Sequence, residues 1–240
     1  MRINRFIATA GVSSRRKADE LILAGRVQVN NVTIKSVGIN INPENDVVKV
    51  DGEKINVKKS KTYLMFHKPF GVISSMSDPQ GRSNLNDYFG GKKDRIFHVG
   101  RLDKDSEGLL LLTNDGDFAH HATHPSFGAK KRYLVLVEGE PSNEIFGKIR
   151  SGVKLEDGMV KADSIKRIGK ERQGEWIEIE LHEGRNQIIR RLFKHLGFKV
   201  VRLVRINFAG LELGDLKPGR FRAIQGAELT KLLQVLKLKQ

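Results

Sequence analysis

Apolar residues in this chain come in short runs, each cut off within a few residues. Tyr63 to Phe66, Leu109 to Leu112 and Tyr133 to Val137 are all bounded by polar residues, charged residues or Gly. Runs that short suit buried strands and fall far short of the ~20 residues a membrane-spanning helix requires. Elsewhere the spacing changes. Ile177, Ile179 and Leu181 alternate with Glu178 and Glu180, the pattern of a half-exposed strand, and strands are also expected at Val200 to Val204 and Phe221 to Ile224. Ile188, Ile189, Leu192, Phe193 and Leu196 recur at helical spacing up to Gly197, and further helices are expected just after Pro141 and from about Ala227. Strands interspersed with a few helices predict an α+β fold with a mixed or antiparallel sheet.

The N-terminal residues read as a separate unit. Phe6, Ile7 and Ala10 mark a short helix ended by Gly11. Ser13 or Ser14 caps a second helix carrying Ala18, Leu21 and Ile22, and Gly25 stops it. Val27 to Val29 and Val32 to Ile34 flank Asn30-Asn31, a pair suited to the positive φ angles of a tight hairpin, and Val47 to Val50 forms a further strand. Lys58-Lys59-Ser60-Lys61 lacks apolar periodicity and reads as a linker. The expected division is a small αα-β module over 1–58 and a larger domain over 62–235.

Charge narrows the partner. The chain has 240 residues, 43 Lys and Arg against 28 Asp and Glu, and a net charge of +15. Such self-repulsion adds nothing to fold stability and points to a polyanion. With no spanning segment and no signal peptide near Arg2 and Arg5, the expected partner is nucleic acid, with no membrane, in the cytoplasm. The absence of cysteine excludes disulfides, thiolate metal sites and thiolate nucleophiles.

Two segments break local rules. Arg15, Arg16 and Lys17 occupy the first turn of a helix, where cations are disfavoured by a few tenths to ~1 kcal/mol each. The same free N–H groups and cations suit phosphate, although a solvated charged turn is the plainer reading. Arg26 and Asn30 extend the patch. The second segment is His98 to Gly108, in which Asp103 lies between Arg101 and Lys104. It admits a calcium loop, a surface loop entering a buried strand, or a catalytic loop with a carboxylate nucleophile or base. The calcium reading fails at its twelfth position, where Asn114 replaces the bidentate Glu. His120 and His124 are spaced for zinc, but no metalloprotease Glu accompanies them. No metal is expected; a polar helix surface near RNA is.

Ala10 to Asp19, followed by Gly25-Arg26-Val27-Gln28-Val29-Asn30, resembles the small RNA-binding domain named after ribosomal protein S-four. The resemblance implies recognition of folded RNA by shape and phosphates, with Ser13, Arg15, Arg16, Lys17, Arg26 and Asn30 as contact residues. Gly100-Arg101-Leu102-Asp103-x-x-Ser106-x-Gly108-Leu109-Leu110 resembles the signature of pseudouridine synthases of the RsuA/RluB type. Lys68-Pro69-Phe70-Gly71-Val72, Lys131-Arg132-Tyr133-Leu134-Val135 and Glu183-Gly184-Arg185-Asn186-Gln187-Ile188-Ile189-Arg190-Arg191 follow that branch in order. One position departs from the pattern: Ile188 stands where a polar residue often occurs.

What this second resemblance implies is an isomerase acting without a cofactor on a uridine of ribosomal RNA or a subunit precursor, as a monomer. Asp103 would be the catalytic carboxylate, attacking the base, attacking the sugar or abstracting a sugar proton. Arg190 would pair with it, and Tyr133 would stack on the uracil and assist proton transfer at C5. Ile189 would line the base pocket. Arg101 would fill the vacated stack or meet a flanking phosphate, and Arg185 would contact RNA. The Thr113-Asn114-Asp115-Gly116 stretch and the Glu-Gly-Arg-Asn form of the last motif resemble the large-subunit (23S) enzymes more closely. Two other functions remain open at this point: a non-catalytic ribosome assembly factor, for which the set Asp103, Tyr133 and Arg190 would be superfluous, and a methyltransferase, which would need a Gly-rich donor loop.

Overall fold

A computed structural model of the protein describes residues 1–57, 60–91 and 95–238. Lys58 and Lys59 of the expected linker lie outside the described residues. The chain divides into two compact units: Met1–Thr62 with Lys92–Ile96 and Asn114–Gly116, and Tyr63–Gly91, Phe97–Thr113 and Asp117–Gln240.

In the first unit, helices α1 (Ile3–Thr9) and α2 (Arg15–Leu23) precede strands β1 (Val27–Val29), β2 (Val32–Ile34), β3 (Val48–Val50) and β4 (Glu53–Lys54). The sheet order is β2-β1-β3-β4. Ile3, Phe6 and Ile7 of α1 and Ala18, Leu21 and Ile22 of α2 share one core with Val27, Val48 and Val50. Three- and four-residue spacing puts each helical set on one face, and that face is the one buried. Ser14 is the cap of α2, accepting from the Lys17 backbone N–H at 3.1 Å. Asn30 and Asn31 take φ of 50° and 66°, which lets β1 turn directly into β2.

The second unit runs β5 (Tyr63–Lys68), α3 (Asn86–Phe89), β6 (Phe97–Val99), β7 (Glu107–Thr113), α4 (Gly116–Thr123), β8 (Lys131–Val137), α5 (Asn143–Ser151), β9 (Val153–Leu155) and β10 (Gly158–Val160). It continues through β11 (Ser164–Glu171), β12 (Gly174–Leu181), α6 (Ile188–His195), β13 (Val200–Phe208), β14 (Leu211–Glu212), β15 (Phe221–Ala223) and α7 (Gly226–Val235). The main sheet has the order β11-β12-β8-β13-β7-β5-β15. Every residue of β5 and β7 is buried, so their continuous apolar runs mark strands covered on both faces. In β12 the isoleucines and Leu181 are buried and the glutamates Glu178 and Glu180 half-buried, as alternation requires.

Strand β13 joins the two halves of the sheet. One edge pairs antiparallel with β8, and the other pairs parallel with β7 through Val204–Glu107 and Arg205–Gly108. Gly108 makes this approach feasible: at φ +105°, a Cβ there would sit 2.3 Å from the Arg205 carbonyl oxygen.

Two features differ from the sequence expectation, and the start of α5 agrees with it. Asp115-Gly116, by composition a turn ending the Leu109 to Leu112 strand, leads directly into α4. The β9–β10 hairpin and β11 carry too little apolar pattern to be read, since only Ile165 is buried along β11. Ser142 caps α5 by accepting from the Ile145 N–H at 3.4 Å, which places the helix start just beyond Pro141.

Candidate active site

The loop from Gly100 to Ser106 links β6 to β7 and is fastened along its length. The Ser74 hydroxyl donates to the Leu102 carbonyl at 2.7 Å and accepts from its N–H at 3.1 Å. The Gly71 N–H donates to the Lys104 carbonyl at 2.9 Å, and the Ser106 N–H to the Asp103 carbonyl at 3.0 Å. Lys68, wholly buried, holds the turn behind it by donating to the carbonyls of Pro69 (2.8 Å) and Val72 (2.6 Å). Burial pushes the Lys68 ammonium down to about 8, against the pull of Glu107, Asp103 and Asp105. The loop backbone is therefore fixed while the Asp103 side chain stays half-buried at the surface of a cavity.

That cavity has a volume of about 550 Å³, room for a nucleoside. Asp103, Arg101, Tyr133, Ile189 and Arg185, all singled out from sequence, line it. Tyr133 and Ile189 are 9% and 2% exposed, so each offers a fixed apolar face. Arg101 is exposed.

Arg190 is the exception. The sequence reading pairs it with the Asp103 carboxylate, but its Nη1 donates to the Val200 carbonyl at 3.0 Å and its Nη2 to the Asp105 carbonyl. Among the described residues, the Asp103 carboxylate has no ion-pair partner. Arg190 is a backbone clamp here, because its position on α6 puts the guanidinium between the Asp105 carbonyl of the loop and the Val200 carbonyl at the start of β13. Its Nε is buried with no acceptor.

Arg185 is likewise occupied by protein. It meets Glu183 at 2.6 Å, Asp157 at 3.0 Å and the carbonyls of Asp157 and Met159. Arg191 completes the cluster on Asp157 at 2.7 Å and holds that carboxyl below its usual range. These bonds tie the 183–187 segment to the β9–β10 hairpin.

Several cavity residues were given no role in the sequence reading. Lys131 and Arg205 line the cavity, and Ser106 contributes a buried hydroxyl without a partner. Burial, and secondly the Arg205 charge, push Lys131 down to about 8, while Glu183 opposes. Arg205 gave one signal, an arginine inside the apolar run Leu203-Val204-Arg205-Ile206.

In the first unit, Arg15, Arg16 and Lys17 are exposed, and among the described residues their side chains have no protein partner. Ser13 is buried, its hydroxyl donating to the Ser14 carbonyl at 3.2 Å. Arg26 is held by Asp51 through two 2.7 Å bonds. The Asn30 side chain bridges Asp46 and the Val47 N–H, each at 2.9 Å. Arg26 and Asn30 therefore brace the two ends of β1 against the ends of β3, while the three cations of α2 remain open to a ligand. His121 stacks on Phe127 at 4.0 Å, so that histidine cluster packs on an aromatic ring. No described group of three or more His, Cys, Asp or Glu is arranged to hold a metal.

Comparison with known proteins agrees with this geometry. Residues 62–195 match the model of the RNA pseudouridylate synthase family, and residues 1–48 match the S4 domain. An uncharacterised RNA pseudouridine synthase of Aquifex aeolicus is 40% identical, over 100% of this chain and 96% of that protein. The ribosomal large subunit pseudouridine synthase B of Bacillus subtilis is 39% identical, over 96% and 95% of the two chains. A crystal structure of a pseudouridylate synthase superposes with a TM-score of 0.67 at 27% identity, covering 97% of this chain and 99% of that one. With the family model spanning more than half of the chain and both relatives aligned almost end to end, the protein belongs to the RNA pseudouridine synthases, isomerases that here carry an N-terminal RNA-binding domain.

Proposed function

We propose that the protein converts one uridine of large-subunit (23S) ribosomal RNA, or of its precursor, to pseudouridine. The observation that carries this reading is the meeting of Asp103, Tyr133 and Ile189 around one nucleoside-sized cavity. The large-subunit assignment rests on the likeness to the Bacillus protein of that name. We further propose residues 1–58 as the RNA-holding part and 62–235 as the catalytic part, working as a cytoplasmic monomer.

In the reaction the N1–C1′ bond breaks, a C5–C1′ bond forms, C5 loses its proton and N1 gains one. Atoms and electrons balance within the substrate, so no co-reactant is consumed. The uridine leaves its stack at a cost of a few kcal/mol, its base resting on Tyr133 and against Ile189. Asp103 acts as nucleophile or base, because its carboxylate lines the cavity and has no ion-pair partner among the described residues. Arg190 is a positioning residue that fixes the loop through the Asp105 carbonyl. Arg101 meets the vacated stack or a flanking phosphate. Arg15, Arg16 and Lys17 hold RNA phosphates, an assignment supported by their exposure and lack of protein partners.

The test is tritium release from C5-labelled uridine in unmodified ribosomal RNA transcripts. Wild type releases tritium from the large-subunit transcript. Asp103→Ala slows release by roughly 10³-fold or more while binding RNA with little change. No release by wild type from any ribosomal RNA would leave an assembly factor as the better account.

A further inference from the structure

Arg205 is a charged side chain, 4% exposed, in the middle of a strand. Its Nε donates to the Leu109 carbonyl at 2.7 Å, but its Nη2 is buried with no acceptor among the described residues. A buried guanidinium N–H left unmatched costs free energy, and a ligand atom that accepts from it recovers that cost. The ligand side is at hand, since Arg205 lines the same cavity as Asp103 and Tyr133.

The sheet register sharpens its role. Arg205 is the direct cross-strand partner of Tyr133 on β8 and the parallel partner of Gly108 on β7. Directly opposed residues of an antiparallel pair project to the same face, about 5 Å apart at Cβ. A base stacked on the Tyr133 ring thus has the Arg205 guanidinium beside it. Phe208, whose ring lies 5.3 Å from the guanidinium carbon, and Lys131 close the surroundings, and both line the cavity. This floor of the site is desolvated, with Arg205 and Phe208 4% and 2% exposed. A phosphate on the RNA backbone stays nearer solvent, whereas the edge of an inserted base reaches the floor, and uracil presents two carbonyl oxygens there.

We propose that Arg205 is a further substrate-binding residue, donating from its guanidinium to a carbonyl oxygen of the extruded uracil. The inference rests on the pseudouridine synthase reading and deepens it. The hydrogen bond orients the base on Tyr133 while its bond to the sugar is broken. It also requires an acceptor where Arg205 points, so a base presenting an amino group at that edge meets a second donor and is rejected.

The experiment couples a protein change to an atomic change in the RNA. Single-turnover tritium release is measured for wild type, Arg205→Met and Arg205→Lys on transcripts carrying C5-labelled uridine, 2-thiouridine or 4-thiouridine. Sulfur accepts hydrogen bonds poorly. With wild type, one thio substitution slows release about 10- to 100-fold, the scale of one charge-assisted hydrogen bond. Arg205→Met is slowed to a similar extent on the oxygen transcript and shows no further penalty on that thio transcript, while RNA affinity stays within about twofold. Arg205→Lys recovers part of the rate on oxygen. Equal slowing of the Met variant on all three transcripts would mean that Arg205 only braces Leu109, and overturns the proposal. So does an unchanged rate. Absence of release by wild type on the oxygen transcript defeats the underlying functional reading instead, and is seen before any variant is made.

Discussion

Two positions show how much the site depends on single atoms. Gly108 lets β13 lie against β7 at a distance no Cβ permits: the Arg205 backbone nitrogen would be 2.7 Å from it and the carbonyl oxygen closer still. Gly108→Ala should destabilise the protein by about 2–5 kcal/mol, from overpacking plus a strained positive φ. Urea denaturation measures this, and a loss under about 1 kcal/mol contradicts the close approach. Lys68 gives a pH signature. Its folded value is about 8 against an ordinary 10.5, so between these limits the unfolded chain binds more protons and stability rises with pH. Denaturation midpoints at about pH 7.5 and about pH 10 should therefore show a larger gain in wild type than in Lys68→Met, which keeps only the contribution of Lys131. Neither residue was readable as anything beyond part of a motif, because burial and cross-strand distance are set by partners far along the chain.

At the scale of elements, the sequence was most legible where a local rule and the tertiary environment agree. Helix α2 shows this: Ser14 caps it, Ala18, Leu21 and Ile22 bury one face, and Gly25 ends it at φ +70°. Ser14→Ala should cost about 1 kcal/mol and raise amide exchange in the first turn of α2 relative to α1. Strands β7, β8 and β12 were readable for the same reason. Strand β11 was not, because an edge strand with one buried residue has the composition of a loop. Legibility of the site followed the same division. Asp103, Tyr133 and Ile189 stood out by motif and do meet, whereas Arg190 was assigned a partner that only three-dimensional placement decides. Arg205 and Ser106 depend on burial and an unmatched hydrogen bond, which no spacing reveals.

For the whole molecule, the +15 charge sets how RNA is held. Binding of ribosomal RNA transcripts should weaken steeply with salt as counterions return to the phosphates. Replacing Arg15, Arg16 and Lys17 together by Ala should make the slope of log affinity against log salt shallower by about 2–3, near one unit for each phosphate no longer neutralised. The rate at saturating RNA should be unchanged. An unaltered slope would move the main RNA-binding surface off α2.

Strand β13 has a consequence for when the enzyme comes into being. Asp103, Tyr133 and Arg190 all leave the ribosome before residue 200, yet the strand that joins their two half-sheets is made afterwards. A nascent chain ending at 195 would carry every motif and lack the ribbon that sets the aspartate's reach to the tyrosine. A chain released before those closing strands are translated should therefore be silent as an isomerase.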